Sequence, residues 1–168
     1  MIKKGYYEDM SFLELLIRLI ADGGVVFIVI IATIALLFKV PKGGRFEAYS
    51  RILLAGLTSY MIAKFVASIY QPSFERPFEA LGVSAGALYL NNPGFPSDHA
   101  LFATALTAAV WFETKLKKTK IVLVILVLLM CVGRVVALVH TPLDVVGGIV
   151  LGLIGAVWYI HKPVEKKR

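Results

Sequence analysis

Apolar residues in this chain are gathered into runs, and polar residues cluster where the runs end. Val25 to Val40 is interrupted only by Thr33 and Lys39, and it stands at the short limit of about 17 residues for a bilayer-spanning helix. Ala48 to Tyr70 is a second run, with Arg51 near one end and Lys64 near the other. Ser97 to Glu113, Ile121 to Val139 and Pro142 to Ile160 follow. Five such runs predict an all-α fold, a polytopic transmembrane helical bundle.

Two stretches depart from that pattern. Ser11 to Asp22 is apolar but carries Glu14 and Arg18, an i,i+4 pair on one helical face. At about 12 residues it is too short to span, and it predicts a short interfacial or partly inserted helix. No small-x-small site follows its apolar part and Asp22 does, so a signal peptide is not expected. Gln71 to Pro96 is polar and aromatic; Pro72, Pro77, Pro93 and Pro96 keep it from forming one helix, and Asn91-Asn92-Pro93-Gly94 is a turn signal.

Composition places the runs in a membrane. The 168 residues, read as a single domain over 1–168, are 58% hydrophobic with mean hydropathy +0.79, above the usual range of soluble domains. A net charge of +7 is the kind that nucleic-acid binders carry, but its location decides otherwise. Lys39, Lys42 and Arg45 lie between the first two runs. Lys115, Lys117, Lys118 and Lys120 lie between the third and fourth, and Lys162, Lys166, Lys167 and Arg168 in the tail. With five spans these regions share one side, which the positive-inside rule makes cytoplasmic. Lys3 and Lys4, in the polar segment Met1 to Met10, are then a mild exception. No basic face remains for nucleic acid. Cys131 is the one cysteine, so no internal disulfide forms.

On this topology Lys64, Arg76 and Arg134 lie on the outer side, at the depth of His99, His140 and Asp144. An ionised Arg134 inside an apolar run is costly unless it faces a partner or a wet cavity. Thr141-Pro142 starts a helix, Thr as N-cap and Pro at the first helical position, which sets Asp144 one turn from His140. A carboxylate there can hold one imidazole nitrogen and free the other as nucleophile or base. The plainer alternative makes Thr141-x-x-Asp144 only a capping box and Arg134 a snorkelling residue. Ser97 is an N-cap candidate beside His99, and a helix N-terminus favours anions. His161, next to the basic tail, reads as a plain interfacial histidine.

Pro96-Ser97-Asp98-His99 and Gly133-Arg134-x5-His140-x3-Asp144 resemble the second and third motifs of the type 2 phosphatidic acid phosphatase superfamily, which shares its site with vanadium haloperoxidases. The family pattern is Lys-x6-Arg-Pro, Pro-Ser-x-His and Ser-Arg-x5-His-x3-Asp. Within it, Gly-Phe before Pro-Ser-Asp-His resembles the bacitracin-resistance type of undecaprenyl-diphosphate phosphatase. Two departures stand out. Lys64 is too far from Arg76-Pro77 for one helix to bring both to a phosphate, so Pro72 must break the helix and let the connection fold back. Gly133 replaces the family serine.

The resemblance implies a lipid phosphatase with His140 as nucleophile, Asp144 holding its tautomer and His99 as acid and then base. It makes Arg134, Arg76, Lys64, Ser97 and Asp98 the phosphate-binding set. The expected reaction is undecaprenyl diphosphate to undecaprenyl phosphate through a phosphohistidine, at the extracytoplasmic side of the cell membrane. Phosphatidic acid or phosphatidylglycerophosphate is the alternative substrate, and a headgroup-binding protein without turnover the alternative of another class. No cofactor is implied and no metal-ligand spacing is present, so activity is expected to survive chelators.

Overall fold

The computed structural model describes residues 12–72 and 75–160. Lys3, Lys4, His161 and the basic tail therefore lie outside the described residues. Every regular element among those described is helical: α1 (Phe12–Arg18), a π turn (Leu19–Gly23), α2 (Gly24–Lys39), α3 (Arg45–Ile69), α4 (Pro77–Ala80), α5 (Asp98–Glu113), α6 (Lys117–Val136), α7 (Pro142–Ile154) and α8 (Val157–Ile160). Four of the resulting helical stretches, Phe12–Lys39, Lys42–Ile69, Lys117–Val136 and Pro142–Ile160, are long and apolar enough to cross a membrane.

The short interfacial or partly inserted helix expected over 11–22 is corrected in one respect: from Phe12 it runs through the π turn into α2 as one stretch of 28 residues. The glycine pair Gly23-Gly24 reads as a break by propensity, but in a bilayer an unpaired backbone is costlier than a poor helix former. In α3, by contrast, the helix stops as expected: Tyr70 is extended and Pro72 follows.

Leu53, Leu57, Met61 and Phe65 on α3 and Ile121, Ile125, Leu128 and Val132 on α6 recur at helical spacing and are half or more exposed. Apolar stripes turned outward on several helices mark a membrane protein. The centre belongs to α5, which at 16 residues is shorter than the four long stretches and packs against α2, α3, α6 and α7. Its closest partner is α7, and small residues allow it. A Cβ on Gly148 would lie 2.6 Å from the Ser97 carbonyl oxygen, and one on Gly152 2.7 Å from that of Leu101. Glycine at such spacing lets two helix backbones touch.

Two ion pairs show that α3 and α5 run antiparallel. Arg51 meets Glu113 at one end of the pair, and Lys64 meets Asp98 at the other. The second end is where the connection 70–97 folds over the bundle.

Candidate active site

The connection after α3 is stitched to the turn between α6 and α7. Phe78 N donates to the Leu138 carbonyl at 3.1 Å and Gly86 N to that of Ala137 at 3.0 Å. Leu138 takes a left-handed φ of 60°, which ends α6 and turns the chain toward α7. Such a conformation costs a leucine on the order of 1–3 kcal/mol and persists only where surrounding contacts impose it. Here they deliver His140.

Local chemistry then sets Asp144. Thr141 caps α7, its Oγ1 accepting from Asp144 N at 3.2 Å, while Asp144 Oδ2 accepts from Thr141 N at 2.7 Å. The capping box is real. The same Oδ2 also lies 3.5 Å from His140 Nδ1, within ion-pair range but longer than a made hydrogen bond, so one carboxylate serves both readings. Both side chains are buried. Burial pushes the His140 imidazole below its ordinary value; the charges of Arg134 and Arg76 push the same way, against the pull of Asp144. The ring is therefore neutral at neutral pH, and with Nδ1 on the Asp144 side its other nitrogen carries the lone pair available for chemistry.

Arg134, 1% exposed at the end of α6, donates from Nη1 to Asp22 Oδ1 and to the Leu88 carbonyl, both at 2.8 Å. Arg76, from the connection, donates to the Val139 carbonyl through Nη1. Its Nη2 reaches the Leu90 carbonyl at 3.1 Å and Asn92 Oδ1 at 3.0 Å, and its guanidinium lies 5.5 Å from the Tyr89 ring centroid. Burial lowers its pKa, without threatening the charge of an arginine. Backbone carbonyls thus satisfy most donors on one flank of each guanidinium. Arg134 Nε and His140 Nδ1 are among the buried nitrogens with no hydrogen-bond partner.

Arg76, Arg134, His99 and His140 line a cavity of about 60 Å³, with Asn92 and Asp98 at its edge. That is about the liquid-state share of two water molecules, a space for a small oxyanion. Two guanidinium groups, two imidazoles and the N-terminus of α5 can surround phosphate oxygens with donors.

Not every expected site residue points there. Ser97 is fully buried, and its hydroxyl caps α5 by accepting from Ala100 N at 3.5 Å. Lys64 Nζ holds Asp98 Oδ1 at 2.9 Å and lines a second space, an apolar groove of about 700 Å³ between α3 and α5. The groove runs from Lys64 to Ile52 and shares Leu90, Asn92 and Asp98 with the small cavity. The two ends of the connection are tied together, Gln71 Nε2 donating to the Phe95 carbonyl at 3.0 Å, while Arg76 lines the small cavity and Lys64 the groove beside it.

Sequence reasoning missed Asp22 and Asn92, each bonded to one of the arginines. Asn92 had a turn signal only, and Asp22 had none beyond being a carboxylate inside a long apolar stretch. No three His, Cys, Asp or Glu side chains converge as a metal site among the described residues.

The profile of the PAP2 superfamily matches residues 48–168. No curated protein and no solved structure matches the chain.

Proposed function

The chain belongs to the PAP2 superfamily, whose members are phosphatases, and from that premise we propose that it hydrolyses the terminal phosphate of a membrane lipid diphosphate. The observation that carries this is the junction of the two spaces. A small cationic cavity shares its rim with an apolar groove of a size suited to a hydrocarbon chain. The phosphate would sit between Arg134, Arg76 and the start of α5, and the tail would lie along α3 and α5. Undecaprenyl diphosphate is the preferred substrate, since the groove is apolar and extends along α3 from Lys64 to Ile52, and the resemblance of Gly94-Phe95-Pro96-Ser97-Asp98-His99 points the same way.

In the proposed reaction the free nitrogen of His140 attacks the terminal phosphorus. The bond from phosphorus to the bridging oxygen breaks as His99 gives that oxygen a proton, and the lipid monophosphate leaves. Water then attacks the phosphohistidine, His99 takes its proton, and inorganic phosphate departs with the phosphorus–nitrogen bond broken. Asp144 stabilises the positive charge that His140 gains. Arg134 and Arg76 hold the non-bridging oxygens, Lys64 and Asp98 stand at the mouth, and Ser97 keeps the α5 amides aimed. Phosphoryl transfer needs mainly positioning and charge stabilisation, which this set can supply. Lys39, Lys42, Arg45 and the Lys115–Lys120 cluster would face the cytoplasm, and the cavity would then open on the outer side of the cell membrane.

The test is phosphate release by purified protein in detergent from undecaprenyl diphosphate, farnesyl diphosphate, phosphatidic acid and phosphatidylglycerophosphate. The long prenyl diphosphate is expected to turn over fastest. Preference for a monophosphate would move the substrate class, and release from none would leave a headgroup-binding protein.

A further inference from the structure

The π turn Leu19–Gly23 lies outside residues 48–168, yet it touches the candidate site. Asp22 Oδ1 accepts from Arg134 Nη1 at 2.8 Å, and Asp22 Oδ2 accepts from Leu88 N at 3.0 Å. The Leu88 carbonyl accepts from the same Nη1 at 2.8 Å. Asp22, Leu88 and Arg134 therefore form a closed ring that ties the first helix, the connection and α6 together.

Two local features make the contact possible. A π turn widens the helix by one residue and commonly occurs at functional sites. Gly133 then lets that turn lie on α6: a Cβ there would stand 2.9 Å from Ile20 Cγ2 and 3.0 Å from Ala21 N. Gly133 is the residue that departs from the serine of the family motif. Its lack of a side chain is thus matched by a close approach of the segment that carries Asp22.

We infer that Asp22 is a positioning residue for the reaction, acting through Arg134. An arginine has many rotamers, and aiming one costs entropy that a fixed partner offsets beforehand. Holding Nη1 fixes the guanidinium at the cavity that Arg134 lines. The carboxylate also offsets the repulsion between Arg134 and Arg76, two guanidinium groups on one small cavity.

This inference rests on the phosphoryl-transfer reading, so the experiment reads catalysis and ligand geometry separately. Wild type, Asp22→Ala, Asp22→Asn, Gly133→Ser and the Asp22→Ala/Gly133→Ser double variant are compared for kcat and KM on undecaprenyl diphosphate. Each is also compared for the rise in Tm on adding orthovanadate, which can take the five-coordinate shape of the transferring phosphoryl group. In Asp22→Ala kcat should fall about 10- to 100-fold, the loss usual when the outer partner of a site residue is removed. KM should move less than about three-fold, because the charge of Arg134 remains and only its aim is lost. Asp22→Asn keeps an acceptor for Nη1 and should recover most of kcat. The double variant should lose no more than its worse parent, since both changes break one contact.

The orthovanadate rise should be lost in Asp22→Ala and kept in Asp22→Asn. If no protein releases phosphate but the rise still depends on Asp22, the phosphatase reading falls and the positioning role stands. Wild-type kcat per folded molecule together with a wild-type orthovanadate rise in Asp22→Ala overturns the positioning role, as does the absence of any rise in wild type.

Discussion

Arg51 and Lys64 stand 13 residues apart on α3, and each pairs with a carboxylate of α5. Arg51 gives Nε to Glu113 Oε1 at 2.9 Å and Nη2 to Oε2 at 3.0 Å, with the Glu113 side chain 4% exposed. Lys64 makes one contact, to Asp98 Oδ1 at 2.9 Å, and both side chains are 41% exposed. A bidentate pair with its carboxylate buried fixes the two helices at one end. A single, half-exposed pair at the other end is weak and can reopen. The weak end borders both the cavity and the head of the groove, so the looser of the two pairs stands where the phosphate would enter.

The largest expected effect lies at the weak end. His140→Ala should bring turnover down to background and abolish acid-labile labelling of the protein from substrate labelled on its terminal phosphate, because no neighbour replaces the attacking nitrogen. Substantial turnover in that variant would reassign the nucleophile.

Next comes the contrast between two paired arginines, the buried Arg134 and the half-buried Arg51. Arg134→Ala should lower kcat/KM about 10²- to 10³-fold, as removal of one transition-state donor does. Arg51→Ala should instead lower stability, by about 1.5–3 kcal/mol for each charged hydrogen bond to Glu113 that is lost, with activity per folded molecule unchanged. Thermal unfolding and phosphate release on both variants check this, and equal activity losses would erase the division of labour between the ends.

Lys64→Ala sharpens it further. Stability should change by at most about 1 kcal/mol, as for other exposed pairs. KM should rise several-fold with kcat nearly kept, because Lys64 lines the groove rather than the small cavity. A kcat loss equal to that of Arg134→Ala would put its ammonium on the transferring phosphate.

The smallest effect is a shift with pH. His140 attacks only when neutral, and burial with two nearby arginines lowers its pKa. The acid limb of kcat/KM should therefore fall below the ordinary histidine value of about 6.5. Asp144 is the group that raises the His140 value, so Asp144→Asn should move the limb further toward acid, while Arg51→Ala should leave it in place. A limb at or above 6.5 in wild type would contradict the burial of the ring.

What the sequence determined by itself is what short range controls. Apolar runs marked the helices because a bilayer demands internal backbone bonding. Thr141-Pro142 and Ser97 marked the starts of α7 and α5 because caps act within one turn. The i,i+4 spacing of His140 and Asp144 put them within reach because a helix start sets that distance. Tertiary structure decided the rest. Asp22 and Arg134 are 112 residues apart, Arg51 and Glu113 are 62 apart, and no periodicity links either pair. The acceptors that hold Arg76 and Arg134 include the carbonyls of Val139, Leu90 and Leu88, groups that every residue has and no residue type announces. Gly133 read as a lost hydroxyl; only the packed first helix showed a backbone lying where that side chain would be. The stretch to Asp22 and the run from Val25 read as two elements, and the structure joined them, because the demand for paired backbone in lipid outweighs the poor helix propensity of Gly23 and Gly24.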